Sequence, residues 1–165
     1  IHSQMARQDQ IARMKALGVT PSFFSAHTYY WGDRHRDIFM GPERAAAMSP
    51  ARWAQEQGLR FSSHLDTPVT PMLPLQAVWS QVHRLSHGGD VIGEDQRIDV
   101  MSALRAVTID AAWQVFQEDR IGSLEPGKLA DMIVLSASPL DDPMAMRDLK
   151  VERTLIGGAT IYRRR

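Results

Sequence analysis

The sequence predicts an α/β fold, a parallel sheet or barrel of strand–helix repeats followed by a β-rich tail. Three observations carry this. The run Leu59–Leu65 alternates, with Leu59, Phe61 and Leu65 on one parity and Arg60, Ser62, His64 and Asp66 on the other, which is the period of a strand. Between His2 and His27 the order is polar residue, helical pattern, strand, polar residue, and that is a βα unit. From Met132 onward the chain reads as strands and a hairpin.

Taken in order, Ile1-His2-Ser3-Gln4 precedes a helix carrying Met5, Ile11, Met14 and Leu17, with Gly18 as its C-terminal stop. A strand over 19–24 follows, with Pro21 tolerated near its start, and runs into Ser25-Ala26-His27. In repeats of this kind the chemistry sits at the C-terminal ends of the strands, where His27 falls. The stretch 28–37 has no clean period and carries three aromatics, two acids, two arginines and a histidine. It reads as a long loop over that lip, either covering a substrate or packed on its own aromatics. Residues 43–47 are helical, and Ser49-Pro50 restarts a helix as N-cap and first-turn proline, carrying Trp53 and Ala54 to a stop at Gly58.

The strand over 59–65 ends at Asp66-Thr67-Pro68, because Pro68 and Pro71 lack the amide hydrogens a longer ladder needs. His64 and Asp66 therefore sit at its lip, as site residues or as a turn brace and a satisfied polar neighbour. Leu75, Val78, Trp79, Val82 and Leu85 recur at helical spacing up to Gly88-Gly89, with Trp79 in the core. His83 and His87 are four apart, but no acid follows His83 and neither ends a strand, so they are not taken as metal ligands. Asp99 caps a helix with Met101, Leu104 and Val107; Thr108 starts another with Ala111, Ala112, Val115 and Phe116. Glu125-Pro126-Gly127-Lys128 has the type II turn signature before the strand Met132–Leu135, and Gly157-Gly158 joins the strands 151–156 and 159–162. Three strands do not close a sandwich, so the tail is expected to pair with strands from an earlier segment.

Composition limits the function classes. At 165 residues, 44% hydrophobic and 23% charged, the chain fits one ordinary core and a small appendage. Nineteen basic residues balance nineteen acidic ones, which offers no footprint for nucleic acid. With no cysteine, any metal must be held by histidines and carboxylates, which suits zinc, iron or manganese. No apolar run reaches membrane-spanning length and no signal peptide is visible, so no membrane partner and a cytoplasmic location are expected. The chain opens on Ile1, and the natural N-terminus is expected upstream.

Gly122-Ser-Leu-Glu-Pro-Gly127-Lys-Leu-Ala-Asp131-Met-Ile-Val-Leu135, placed after Thr108–Ala112, resembles the C-terminal signature of the amidohydrolase superfamily. With Ser22–Asp33 and His64-Leu-Asp-Thr-Pro-Val-Thr-Pro71, the chain resembles the amidohydrolase family 3 branch, which includes N-substituted formamide deformylase-like enzymes. The resemblance implies the C-terminal half of a (β/α)8 barrel over residues 1–118 and C-terminal strands of a composite β-sandwich over 119–165. It implies a metal-dependent hydrolase of non-peptide carbon–nitrogen bonds in small-molecule amides, with zinc favoured over iron or manganese. His2 and His27 match metal-binding histidines at the ends of the fifth and sixth barrel strands. Asp66 matches the acid at the end of the eighth, where it is expected to serve as ligand and proton shuttle. By position, His64, Tyr29, Tyr30, Trp31 and Arg36 are expected to line the substrate pocket. The family's earlier ligands would precede His2, so this segment alone is expected to be inactive and to need the N-terminal half of the enzyme; a homo-oligomer is also considered. Ile38-Phe39-Met40 is the candidate seventh strand. A non-catalytic assembly or binding module and a cyclic amidase or deaminase of the same superfamily stand as alternatives.

Overall fold

A computed structural model describes residues 1–165. Its first part is organised on a short parallel edge. Strand β1 (Ser22–Phe23) pairs in parallel with β2 (Ser62–Ser63), Ser22 opposite Ser62 and Phe23 opposite Ser63, while His2 forms a parallel bridge to Phe23 on the other side. Helix α1 (Gln8–Leu17) connects His2 to β1, buries Ile11, and ends on Gly18 in the left-handed region (φ 67°), as its glycine predicts. The paired strands are shorter than the alternation suggests, and burial does not alternate cleanly along them: Leu59 and Phe61 are buried, but so is Ser62 on the other parity, while His64 and Leu65 are half-buried. Phe61 packs on Phe23 at 5.4 Å between ring centroids, and with Ile11, Val78, Trp79, Ile98 and Met146 they form the main core.

Several sequence expectations are corrected. The stretch 28–37 is not a loop: α2 (His27–Arg34) continues into a π-helical turn (His35–Phe39). Its buried face is small, Thr28 and Gly32, so no apolar stripe announces the helix; a Cβ on Gly32 would stand 2.9 Å from Ile92 Cγ1. Ile38 and Phe39 belong to this turn and are exposed, so they form no strand. Because β1 and β2 are directly paired, no seventh strand stands between them, and the strand ends carrying His27 and Asp66 are neighbours rather than sixth and eighth. Helix α3 (Pro42–Ala46) and helix α4 (Ala51–Glu56) follow, and Ser49 does not cap the latter: its hydroxyl donates to the Phe24 carbonyl instead.

Helix α5 (Pro74–His83) ends not at Gly88-Gly89 but at Arg84, itself left-handed at φ 52°. The Arg84 side chain is fully buried and has no carboxylate partner. Its guanidinium donates to four backbone carbonyls instead: Ile92 at 2.6 Å, Met48 at 2.8 Å, Ala46 at 3.2 Å and Ser49 at 3.3 Å. Burial, reinforced by Arg97, lowers its pKa to about 9, so it stays charged at neutral pH. One side chain thus ties the chain after α3 to the chain after α5. Arg84→Met, which leaves four carbonyls without this donor, is expected to lower unfolding free energy by about 3–5 kcal/mol. Arg84→Lys is expected to recover little of it, since an ammonium cannot span the same fork. Denaturant midpoints at equal slope, measured on the protein expressed from its complete reading frame, check both; an Arg84→Met midpoint equal to wild type would contradict the assignment.

Helix α6 (Val100–Ala106) is capped as expected, Asp99 Oδ1 accepting from the Ser102 amide at 2.9 Å, and α7 (Ile109–Gln114) packs against β2. The tail is an antiparallel sheet in the order β3 (Met132–Leu135), β4 (Val151–Ile156), β5 (Ala159–Arg163). The connection between β3 and β4 returns to α5: Trp79 Nε1 donates to the Met144 carbonyl at 2.9 Å, and Arg147 lies over Trp79 at 4.4 Å and Tyr29 at 5.2 Å. Ile133, Ile156 and Ile161 remain exposed on the open sheet. No helix is long and apolar enough to cross a membrane.

Candidate functional site

At the C-terminal ends of the parallel edge, side chains from three separate stretches meet. His2 Nδ1 is 2.8 Å from His64 Nε2, with the rings stacked at 5.0 Å, and His2 Nε2 lies 3.6 Å from Asp66 Oδ2. His27, the first residue of α2, meets His2 edge-on at 5.8 Å. Phe24 supplies the floor, 4.0 Å from the His27 ring and 5.4 Å from His64, and Trp31 closes one side at 5.3 Å from His27. The backbone is bent to present these groups: His2, Ser3 and Asp66 hold φ of 64°, 46° and 53°. Left-handed backbone at residues other than glycine costs on the order of 1–3 kcal/mol each and gathers at functional sites.

The electrostatics favour bare nitrogen. Burial, reinforced by the neighbouring His35, His2 and His64, lowers the His27 pKa to about 4 against the opposing pull of Asp66. Burial and then His2 bring His64 to about 4 as well. Both rings are neutral at pH 7, the form that binds a divalent metal. His27 Nδ1 is buried and has no hydrogen-bond partner, an orphaned polar atom.

Of the residues singled out from sequence, His2, His27, His64, Asp66 and Trp31 are brought together. Tyr29 points the other way, edge-on to Trp79 at 5.7 Å, and Tyr30 packs on Tyr29 and Trp31. Arg36 is held by carboxylates, Asp37 at 2.6 Å and Asp90 at 2.7 Å, away from the histidines. The sequence reading counted His35 in the stretch 28–37 without singling it out, and its ring lies 5.9 Å from His27; once α2 is recognised as helix, the spacing His27, Trp31, His35 places all three on one face. Its Nδ1 faces the Trp31 carbonyl at 2.8 Å and must carry the proton, so Nε2 accepts from Gln4 Nε2 at 3.1 Å.

The donor set suits a divalent cation: neutral imidazoles, one orphaned nitrogen and an adjacent carboxylate, with no thiolate. No three of these side chains are closed on one point. Parallel strands followed by helices bring imidazoles and a carboxylate together at the strand ends. The sequence model of the amidohydrolase family matches residues 1–162, and the chain belongs to that family. It is 28% identical to N-substituted formamide deformylase from Arthrobacter pascens over 99% of its own length, and spans 30% of the length of that relative. An uncharacterized metal-dependent hydrolase from Pyrococcus horikoshii superposes with a TM-score of 0.71 at 26% identity, over 84% of this chain and 28% of that one. A zinc-bound adenosine deaminase from Xanthomonas campestris shares the fold with a TM-score of 0.65 at 20% identity, over 96% of this chain and 35% of that one.

Proposed function

We propose that the chain is the C-terminal catalytic part of a metal-dependent hydrolase of small-molecule amides, cleaving non-peptide carbon–nitrogen bonds. The observation that carries this is the meeting of His2, His27 and Asp66 at one parallel strand edge, with a buried His27 nitrogen left unpartnered. His2, His27 and Asp66 would hold the divalent metal, zinc first. When bound, such a metal polarises a substrate carbonyl and acidifies water. The chain's own residues then have distinct tasks. Asp66, the carboxylate at the cluster, accepts a proton as water attacks and returns it to the departing amine. Phe24 and Trp31 exclude water from one wall, and Gln4 and His35 border the position beside His27 where an amide would lie. A fragment kept only for binding would have no need of two histidines and a carboxylate at one strand edge, with His2 between His27 and Asp66.

Residues 1–118 form part of a barrel and residues 119–165 part of a composite β-sandwich in this reading, with the remaining strands contributed by a preceding segment of the same enzyme. The apolar groove of about 470 Å³ lined by Met5, Met14, Leu17 and Val19, and the open face of the tail sheet, are the surfaces those strands would cover. The chain produced alone is therefore expected to bind hydrophobic dye and to unfold without a cooperative transition. A soluble monomer of these 165 residues that unfolds cooperatively would overturn the half-barrel reading.

The decisive experiment measures metal content by elemental analysis on protein expressed from its complete reading frame, then screens N-formyl amines, open-chain amides, cyclic amides and aminated rings. Zinc, iron or manganese at about one or two equivalents with turnover of open-chain amides is the expected result. Metal with turnover confined to cyclic or aminated rings would redirect the substrate class. Absence of metal after expression in supplemented medium would reject the hydrolase reading.

A further inference from the structure

At the opposite end of β2 from the histidines, arginines gather around one carboxylate. Arg60, two residues ahead of β2, donates from Nε to Asp110 Oδ1 at 2.6 Å, and Arg105 Nη2, on α6, reaches the same oxygen at 3.6 Å. The Arg60 guanidinium lies over the Trp113 ring at 4.8 Å. Beside them opens a cavity of about 360 Å³ lined by Gln55, Gly58, Arg60, Ser102, Arg105 and Asp110. Lys15 adds a third cation at its rim, Nζ donating to the Gly58 carbonyl at 2.5 Å. Asp110 belongs to the stretch Thr108–Ala112, which has no task in the hydrolase chemistry.

These cations are underpaired. Arg60 spends only its Nε–H on Asp110, and its terminal nitrogens have no acceptor in the chain; Arg105 makes only the longer ion pair. Two guanidinium groups converging on one carboxylate oxygen repel each other, and a second anion on their free N–H groups relieves that repulsion. The other acid joined to this lining is Asp99, which is already held: its oxygens accept from the Ser102 amide at 2.9 Å and the Ser102 hydroxyl at 2.6 Å, with Gln55 Nε2 at 3.4 Å. Lys15, Arg60 and Arg105 therefore outweigh Asp110 and Asp99 by one positive charge. A planar fork of N–H donors in a concave site matches an oxyanion. The cavity lies at the low end of the range for small-molecule sites, so it admits an organic group attached to the anion. Nothing in the lining can turn such a ligand over: the hydroxyl of Ser102 gives its proton to Asp99, and no imidazole is present.

We propose that the cleft between α4, α6 and α7 at the N-terminal end of β2 binds a small organic oxyanion, a carboxylate or a phosphate monoester, on Arg60 and Arg105 with Lys15 at the rim. It is a binding site and not a second catalytic one, and it stands independently of the metal-site reading. A ligand there ties the entry to β2 to α6 and stabilises the folded chain by mass action.

Isothermal titration of the protein from its complete reading frame with phenyl phosphate and with benzoate, at ionic strength fixed by sodium chloride, tests this. Saturable binding is expected, weakened about tenfold by Arg105→Gln, the worth of one charge-assisted hydrogen bond. Arg60→Gln should cost at least as much, but it strands the mostly buried Asp110; the Arg105 side chain is exposed and makes no hydrogen bond, so its variant decides. Arg52→Gln, whose side chain pairs with Glu56 on the surface of α4, should bind as wild type does. A bound metal also takes oxyanions, and His27→Ala separates the two positions by leaving binding at this cleft unchanged. Tighter phenyl phosphate assigns a phosphate monoester, tighter benzoate a carboxylate. No saturable binding above the chloride background, affinity unchanged in Arg105→Gln, or binding abolished by His27→Ala would each overturn the proposal.

Discussion

His27→Ala, made in the protein expressed from its complete reading frame, is expected to weaken metal binding by more than about 100-fold and to lower amide hydrolysis at least as much. Residues that merely orient a ligand already cost about 10–100-fold when changed, so loss of a ligand must exceed that range. The substitution should not act through unfolding. His27 opens α2, where alanine is the most favourable residue, and its ring is only partly buried between Phe24 and Trp31. Removing it also removes the unpartnered Nδ1, so no polar group is stranded. His83→Ala is the control: its Nε2 serves the Pro143 carbonyl at 2.9 Å, outside the cluster, and its loss should leave metal content unchanged. Elemental analysis and circular dichroism on the two variants decide. A well-folded His27→Ala protein with full metal content would remove His27 from the site.

What could be read from sequence divides along a physical line. The lip positions of His27, His64 and Asp66 were legible because a strand end is marked locally, by the period of the strand and, for the second, by Pro68 and Pro71. The hairpin at Gly157-Gly158 and the cap at Asp99 were legible for the same reason, since each is decided within four residues. Helix α2 was hidden because its contacts are aromatic on several sides and its buried face is threonine and glycine, so hydrophobic periodicity carries no signal. His35 was therefore not placed beside His27. Arg84, Ser22, Ser62 and Gln114 are polar residues whose partners lie far along the chain, and such pairings leave no local pattern. The directness of the β1–β2 pairing is likewise a long-range fact, which is why a seventh strand was sought in the residues between them.

Asp66→Asn is expected to reduce kcat by about 10²–10⁴-fold, the span that a positioned general acid–base contributes, with a smaller change in KM. The substitution isolates the proton-accepting function because it leaves shape and backbone nearly untouched. Asp66 sits at φ 53°, a region that asparagine tolerates as well as aspartate, and its carbonyl still receives the Val69 amide at 2.8 Å. Alanine would add backbone strain to the loss of the carboxylate, so it is the poorer test. The amide oxygen of asparagine can still face a cation, but it has no basicity to take a proton from water at neutral pH. Metal content should therefore fall less than the rate does, and the divergence between the two is the signature of a shuttle rather than of a ligand alone. A folded Asp66→Asn protein that keeps kcat within about threefold of wild type would assign the proton transfer elsewhere, and His64, 2.8 Å from His2 at the same edge, would become the group to change next.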